Sequence, residues 1–428
     1  MTPRLRREVG MWGAVLMGLG SIVGTGVFVS IGIAAGIAGP SVVLAIALAA
    51  LVATFNGLSS AQLAASHPVS GGTYEYGYKY LNPTLGFVAG WMFLCAKSAS
   101  AATAALGFAG YVLSALDITS PLWRIGLGLV AVIALTTIVL GGIRQSNLTN
   151  VVVVGMTLGA LVFFMLAGLP GLFAAGATNF LPFFPPPSEG ISPGRALFHA
   201  SALMFVAYTG YGRIATLGEE VREPQRTIPR AIIVTLFVTM ALYVGVGVVA
   251  VGNAGAAGFA LATAQTSAPL EVIASDFGIP GAGMILAIGA ITAMLGVLLN
   301  LILGLSRVLL AMGRRRDMPP ALARIDKTGR TPEAAVLVVG VIIAVLVLIG
   351  DVRTTWSFSA FTVLVYYAIT NLAAYQLPEE KRRYPRGLAA LGLLACLFLA
   401  FWVEPAIWLT GCLLIAVGLA WRWAIRKL

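Results

Sequence analysis

The sequence predicts an all-α polytopic membrane protein with 12 transmembrane helices, and three observations carry that prediction. The 428-residue chain is 59% hydrophobic and only 10% charged, against about 25% charged residues in soluble domains; its mean hydropathy is +0.94. Apolar windows of about 20 residues, the length that crosses roughly 30 Å of hydrocarbon, recur along it. They centre near Gly24, Leu51, Lys97, Ile133, Leu161, Tyr208, Met240, Val297, Ile342, Val365, Leu394 and Ile415. Two of these windows are broken by glycine at mid-length instead of at an end.

The first break is Gly20-Ser21-Ile22-Val23-Gly24-Thr25-Gly26. Glycine costs a helix about 1 kcal/mol relative to alanine, and backbone without helical partners survives at membrane depth only where protein or a water-filled cavity takes up its N–H and C=O groups. The second is Ala207-Tyr208-Thr209-Gly210-Tyr211-Gly212, in the sixth window. A lone glycine cluster more often marks close helix packing. A pair in corresponding positions of two halves points to an inverted-repeat transporter with its site at the midplane.

The longest polar insertions are Ser66 to Asn82, Asn179 to Pro193, Glu219 to Pro229 and Arg314 to Pro332. None holds a soluble domain, so residues 1–428 read as one membrane domain. Asn253 to Pro280 has no Lys or Arg, and short helices capping the outer face are expected there, one near Pro269 to Phe277. The N-terminal apolar run is too long for a signal-peptide core and reads as a retained first span.

The net charge of +11 is distributed by side. With the N-terminus inside, one face collects Arg4, Arg6, Arg7, Lys79, Arg144, Arg222, Arg226, Arg230, the Arg314 to Arg330 cluster, Lys381 to Arg386, Arg422, Arg426 and Lys427. The other has only Arg124, Arg195 and Arg353. That asymmetry is the positive-inside pattern; it puts both termini in the cytoplasm of a cell (inner) membrane protein with an even number of spans. Lipid, and not nucleic acid, is the expected environment of these cations. Cys95, Cys396 and Cys412 fall within spans without paired spacing, and His67 and His199 lack ligand spacing, so neither a disulfide framework nor a metal site is expected.

Gly20 to Gly39, continued by Ser59-Ser60-Ala61-Gln62-Leu63 and Pro68-Val69-Ser70-Gly71-Gly72-Thr73-Tyr74-Glu75-Tyr76, resembles the first two helices and following loop of amino-acid permeases of the amino acid, polyamine and organocation superfamily. Phe205 to Tyr211, Gly218 to Pro224 and Pro229-Arg230-Ala231-Ile232 resemble its sixth-helix signature, and Ser306-Arg307-Val308 with Met312 and Pro319 its eighth helix. The resemblance implies a leucine-transporter-type five-plus-five inverted repeat, about 11–175 and 195–377, with spans 11 and 12 (about 386–424) appended.

In that fold the bound amino acid lies between the breaks. N–H groups around Gly24, Thr25 and Gly26, at the positive end of a half-helix, suit its carboxylate, with the Thr25 hydroxyl as a further donor. Unpaired carbonyls at Ile22, Val206, Ala207 and Thr209 suit its ammonium group. Gly210 completes the second break. Tyr208 and Tyr211 are placed to cover the site, Tyr208 as a gate; the alternative is a ring packed between helices with its hydroxyl satisfied.

Every Asp and Glu falls in a loop or near a helix end, which argues against a carboxylate proton relay, an intramembrane aspartyl protease and an acid-lined cation channel. Many family members carry Asp or Glu just after the sixth-helix break, where this chain has Gly212 and Arg213. Lys97 is the buried exception, roughly 18 Å into span 3 at the helical rise. It is expected to supply a protonation switch, to face the substrate, or to donate to backbone carbonyls at a break. Relatives that place such a lysine on span 5 are not matched here at Gly155-Met156-Thr157. Lys97, Tyr211 and Arg213 are therefore the coupling or gating candidates.

Family sodium sites use span 8 hydroxyls, replaced here by Val297 and Leu298, with Thr292 and Asn300 nearby; proton coupling is expected over sodium, with no cofactor. Arg213 and Arg307 are expected to pair with Glu219, Glu220 or lipid phosphate, and with Lys97 they favour a neutral or acidic substrate over a cationic one. No ATP-binding motif is present. These readings converge on a secondary amino-acid transporter working by proton symport or exchange. A non-transporting amino-acid sensor or scaffold on the same fold is the alternative, and a channel a third.

Overall fold

The computed structural model describes residues 9–67, 71–141, 147–184, 192–215, 221–325 and 331–427. Arg4, Arg6, Arg7, Arg144, Glu219 and Glu220, which enter the charge reading, lie outside them. Among the described residues the regular structure is helical throughout, with one isolated bridge between Val9 and Val221.

The chain opens with α1 (Met11–Ile22), a π-helical segment (Gly26–Ser30) and α2 (Ile31–Ala38). Gly39 turns it at φ 60, a left-handed conformation that glycine adopts without a Cβ penalty. Then come α3 (Val42–Ser66), α4 (Thr73–Tyr80), α5 (Pro83–Ser114), α6 (Pro121–Leu140), α7 (Asn147–Ala167) and α8 (Leu169–Ala175). After them are α9 (Pro193–Tyr208), a 3-10 turn (Thr209–Tyr211), α10 (Gly212–Ala215), α11 (Pro224–Thr266) and α12 (Pro269–Ser275). The chain closes with α13 (Ala282–Arg314), α14 (Glu333–Val347), α15 (Val352–Tyr375), α16 (Arg386–Ala400) and α17 (Pro405–Ile425). Proline sits in the first turn of α5, α6, α9, α11, α12 and α17, where its missing N–H leaves no helical bond unmade. Asn82 caps α5 by accepting from the Leu85 N–H at 2.8 Å, and Asp351 caps α15 through the Thr354 N–H at 2.8 Å.

Among the described residues eight helical stretches are long and apolar enough to cross a membrane. The remaining four of the twelve hydrophobic windows fall on shorter helices. Two of those four, around Gly24 and Tyr208, are the windows carrying the glycine breaks, and the other two are α14 and α16, of 15 residues each. The fold is organised around α5 and α15, which pack most extensively against each other. In α15, 83% of the apolar window is buried, against 17% in α17, so α15 is a core helix and α17 presents its apolar side chains outward.

At the end of the bundle remote from the termini, α12 packs over the π-helical segment and against α13. It is the short helix expected near Pro269 to Phe277. Its Glu271 is only 8% exposed, with Oε2 lacking a hydrogen-bond partner. Burial, helped by the charge of Asp117 and opposed by the Ser114 hydroxyl, pushes the Glu271 carboxyl up to about 7. The folded protein thus holds this proton more tightly than the unfolded chain, and stability falls as pH rises from about 4.5, the ordinary value, to about 7. Glu271→Gln is expected to remove that decline. Thermal unfolding in detergent should show the variant more stable than the parent at pH 8, with the difference shrinking towards pH 4.5.

Candidate functional site between two broken helices

The helical ladder of α1 ends at Ile22, and Val23 leaves it with an extended backbone (ψ 104) while its N–H still reaches the Leu19 carbonyl at 2.8 Å. The next segment is anchored on Gly24, whose carbonyl accepts from the Val27 and Phe28 N–H groups at 3.1 and 3.2 Å. The Ser30 hydroxyl donates to the Thr25 carbonyl at 3.0 Å. Close approach explains the glycines. A methyl group on Gly26 would lie 2.5 Å from the Ala207 Cβ, and one on Gly24 would lie 2.7 Å from Val297 Cγ2 on α13.

In the second break α9 stops at Tyr208, and the chain makes one 3-10 turn before α10. The Gly210 α-carbon packs directly on the Ser21 carbonyl, so closely that a side chain would overlap it. The two breaks thus touch. Tyr243 of α11 sits across them: its hydroxyl lies 2.9 Å from the Ile22 carbonyl oxygen and 3.2 Å from that of Ala207. A phenol carries one proton, so it serves the two acceptors by sharing or alternation. Tyr367 of α15 donates to the Thr209 carbonyl at 3.1 Å, and the Thr209 hydroxyl to the Val206 carbonyl at 2.7 Å. The expectation of unpaired carbonyls at Ile22, Val206, Ala207 and Thr209 is therefore corrected: each accepts a hydroxyl, and the Val206 carbonyl also accepts the Thr209 N–H, which fills both of its lone pairs. Tyr243 and Tyr367 escaped the sequence reading because a lone phenol in an apolar helix has no spacing that marks it.

Between the breaks is a nook of about 40 Å³ lined by Ile22, Thr25, Gly26, Lys97, Val206, Ala207, Thr209 and Gly210, with Ser21, Ser100, Val297, Leu301 and Trp356. Trp356 is fixed there by donating its indole N–H to the Leu203 carbonyl at 3.0 Å. The Thr25 hydroxyl is buried with no hydrogen-bond partner, an arrangement that native structures rarely leave without a purpose. Lys97 of α5 is buried, and its ammonium donates to the Thr209 hydroxyl at 2.7 Å.

Four of the candidates do not line the nook, Arg213 among them, since it borders only the larger cavity beside it. Gly24 sits behind Val297. Tyr208 packs its ring against Tyr243 and sends its hydroxyl to the Ile46 carbonyl of α3 at 3.3 Å. Tyr211 packs against Tyr367, ring centroids 5.5 Å apart. A larger cavity of about 380 Å³ adjoins the nook and runs past Arg213, Asn300 and Arg307 to Arg314 and to Gly71, Thr73 and Tyr74 at α4. The expected partners Glu219 and Glu220 are outside the described residues. The Thr292 hydroxyl donates back into its own helix, to Ile288 and Gly289. Span 5 reaches span 1 through Asn150, whose amide donates to the Leu16 carbonyl at 3.3 Å.

A helical membrane protein whose two interrupted helices meet at a small nook has the architecture of a solute transporter. The chain belongs to the amino acid permease family, whose model matches residues 13–426. It is 38% identical over 427 residues to uncharacterized transporters of Mycobacterium tuberculosis and Mycobacterium bovis, covering 99% of this chain and 92% of theirs. A branched-chain amino acid permease of Bacillus subtilis is 28% identical over 442 residues, covering 99% and 90%. A methylthioribose transporter of the same organism is 25% identical over 440 residues, covering 97% and 92%. The protein is an integral membrane protein of a transporter family.

Proposed function

We propose that the chain is a secondary active transporter of amino acids, working by alternating access around the nook between the breaks, with proton symport or exchange preferred over sodium coupling. The observation that carries this reading is the meeting of the two breaks. Backbone carbonyls from both converge on Tyr243, while the buried Thr25 hydroxyl beside them has no partner. In this reading the substrate carboxylate takes the Thr25 hydroxyl and the N–H groups at Thr25 and Gly26, which open a helical segment and so lack helical partners. Its ammonium takes remaining lone pairs of the carbonyls at Ile22, Ala207 and Thr209, the Val206 carbonyl being already filled by Thr209. Because the common α-amino acid part is read by backbone, the side chain is read by Lys97, Val297, Leu301 and Trp356. Sodium is disfavoured because hard cations want oxygen ligands, and Val297 faces this place while Thr292 is turned back into its helix.

The same reading takes all twelve hydrophobic windows as spans in two inverted repeats, 11–175 and 195–377, with α16 and α17 appended. It places the face bearing Lys79, Arg314, Arg422 and Arg426 in the cytoplasm of a cell (inner) membrane. The larger cavity then opens inward. Saturable, stereoselective counterflow in proteoliposomes tests this function; binding without flux would indicate a sensor, and a unitary conductance a channel.

Tyr243→Phe is expected to lower uptake several-fold while leaving the fold intact. The hydroxyl contributes one net hydrogen bond, about 1 kcal/mol, and its loss frees two carbonyls that hold the breaks in register. Initial rates and thermal unfolding measured side by side would check this; equal rates would remove Tyr243 from the mechanism.

A further inference from the structure

Resting on the reading of the nook as an amino-acid site, we propose that its substrate is an amino acid with an acidic side chain, whose second carboxylate is received by the Lys97 ammonium. Lys97 is buried in α5 and donates to the Thr209 hydroxyl at 2.7 Å. That hydroxyl gives its own proton to the Val206 carbonyl, so it accepts from lysine only through a lone pair. An ammonium has three donors. The two left over face a nook whose other polar neighbour on α5 is Ser100.

Among the described residues no Asp or Glu lines the nook or the adjoining cavity, and Lys97 forms no salt bridge with any of them. The charge of the cavity is instead cationic along its length. Asn300, Arg307 and Arg314 recur on α13 at intervals of seven, close to two helical turns, and all three line it. An anionic solute entering past Arg314 and Arg307 passes two cationic side chains and supplies Lys97 with the counter-ion that the described lining lacks. A substrate with a neutral side chain would leave that ammonium buried and unpaired. Sites built to bond a polar group reject analogues lacking it for this reason. A substrate with a cationic side chain would add a second buried charge of the same sign.

The apolar wall of Val297, Leu301 and Trp356 sets the length of what fits.

The test uses the purified full-length protein, with ligand-induced thermal stabilisation and competition of counterflow as readouts, and L-aspartate, L-glutamate, L-asparagine, L-glutamine, L-leucine and L-arginine as probes. Aspartate or glutamate is expected to stabilise the protein and to compete at least ten-fold more tightly than its own amide, which differs only in charge. Lys97→Gln should erase that preference, bringing acid and amide within about two-fold, and Lys97→Arg should keep part of it. If an amide or leucine binds as well as or better than the acids, or if Lys97→Gln preserves the discrimination, the proposal is overturned while amino-acid transport stands. If none of the probes stabilises or exchanges, the transport reading fails and this proposal with it. Should Lys97→Gln not fold, the wild-type comparison of acid against amide decides the matter.

Discussion

Gly210→Ala is expected to abolish uptake while the protein remains folded. The added methyl would overlap the Ser21 carbonyl, and Ile22 Cγ1 would lie 2.7 Å away. A flexible side chain could rotate aside, but a backbone carbonyl in the opposing break cannot. Overpacking of this kind typically costs 1–3 kcal/mol, which a chain with many buried helices tolerates. The site does not tolerate it, because relief requires the two breaks to separate, and a displacement on the order of 1 Å at a binding constellation can cost about 100-fold in rate. Gly26→Leu should act in the same way against Ala207, whose Cα would be 2.9 Å from the new Cβ. Gly159→Ala on α7, where a methyl meets nothing within 4 Å, serves as the control and should transport normally. Uptake of a labelled amino acid by all three variants, with thermal unfolding in parallel, measures this. Normal transport by Gly210→Ala would sever the breaks from the transport site.

Those glycines were legible in the sequence because they contradict their surroundings. Gly24, Gly26 and Gly210 stand where apolar helix formers are expected, and the contradiction has a local cause in the approach of Val297, Ala207 and Ser21. Tyr243 and Tyr367 were not legible. Each stands in an apolar stretch of its helix, and whether a phenol meets a carbonyl or a methyl group depends on rotation and register, which hydropathy does not fix. Tyr208 shows the opposite failure. It lies inside the break, yet the turn that begins at Thr209 directs its ring towards Tyr243 and Ile46 and away from the nook.

The stretch Ser66 to Asn82 reads as a polar loop. Eight of its residues form α4, held between α5 and α15, and the pairings that hold it come from distant parts of the chain. Asp317 is the clearest case. In sequence it follows three arginines at a helix end and reads as a solvated acid; in the fold it is fully buried, because α17 returns two arginines to it from more than a hundred residues away.

Asp317→Asn is therefore expected to be the most destabilising single change at this face. The carboxylate accepts from the Tyr74 hydroxyl at 2.9 Å and from that of Tyr78, and it lies 3.4 Å from both Arg422 Nε and Arg426 Nη2. Burial first, and then the negative charge of Asp317, hold the Tyr74 phenol well above its ordinary value, so it remains a donor across the physiological range. Asparagine keeps the shape and loses the charge. Arg422, only 6% exposed, is left without a counter-ion, and breaking a buried pair from one side typically costs 3–5 kcal/mol. Tyr74→Phe removes one hydrogen bond to a charged group, about 1.5–3 kcal/mol, so the drop in unfolding temperature should be larger for Asp317→Asn. Combining it with Arg422→Met should recover part of the loss, since the stranded charge goes with the arginine while its packing against Phe87 is retained. Because Tyr74 and Tyr76 of α4 also line the larger cavity, uptake should fall further than the lost folded fraction accounts for. A ratio of uptake to folded protein that stays constant across the three variants would confine the Asp317 cluster to stability alone.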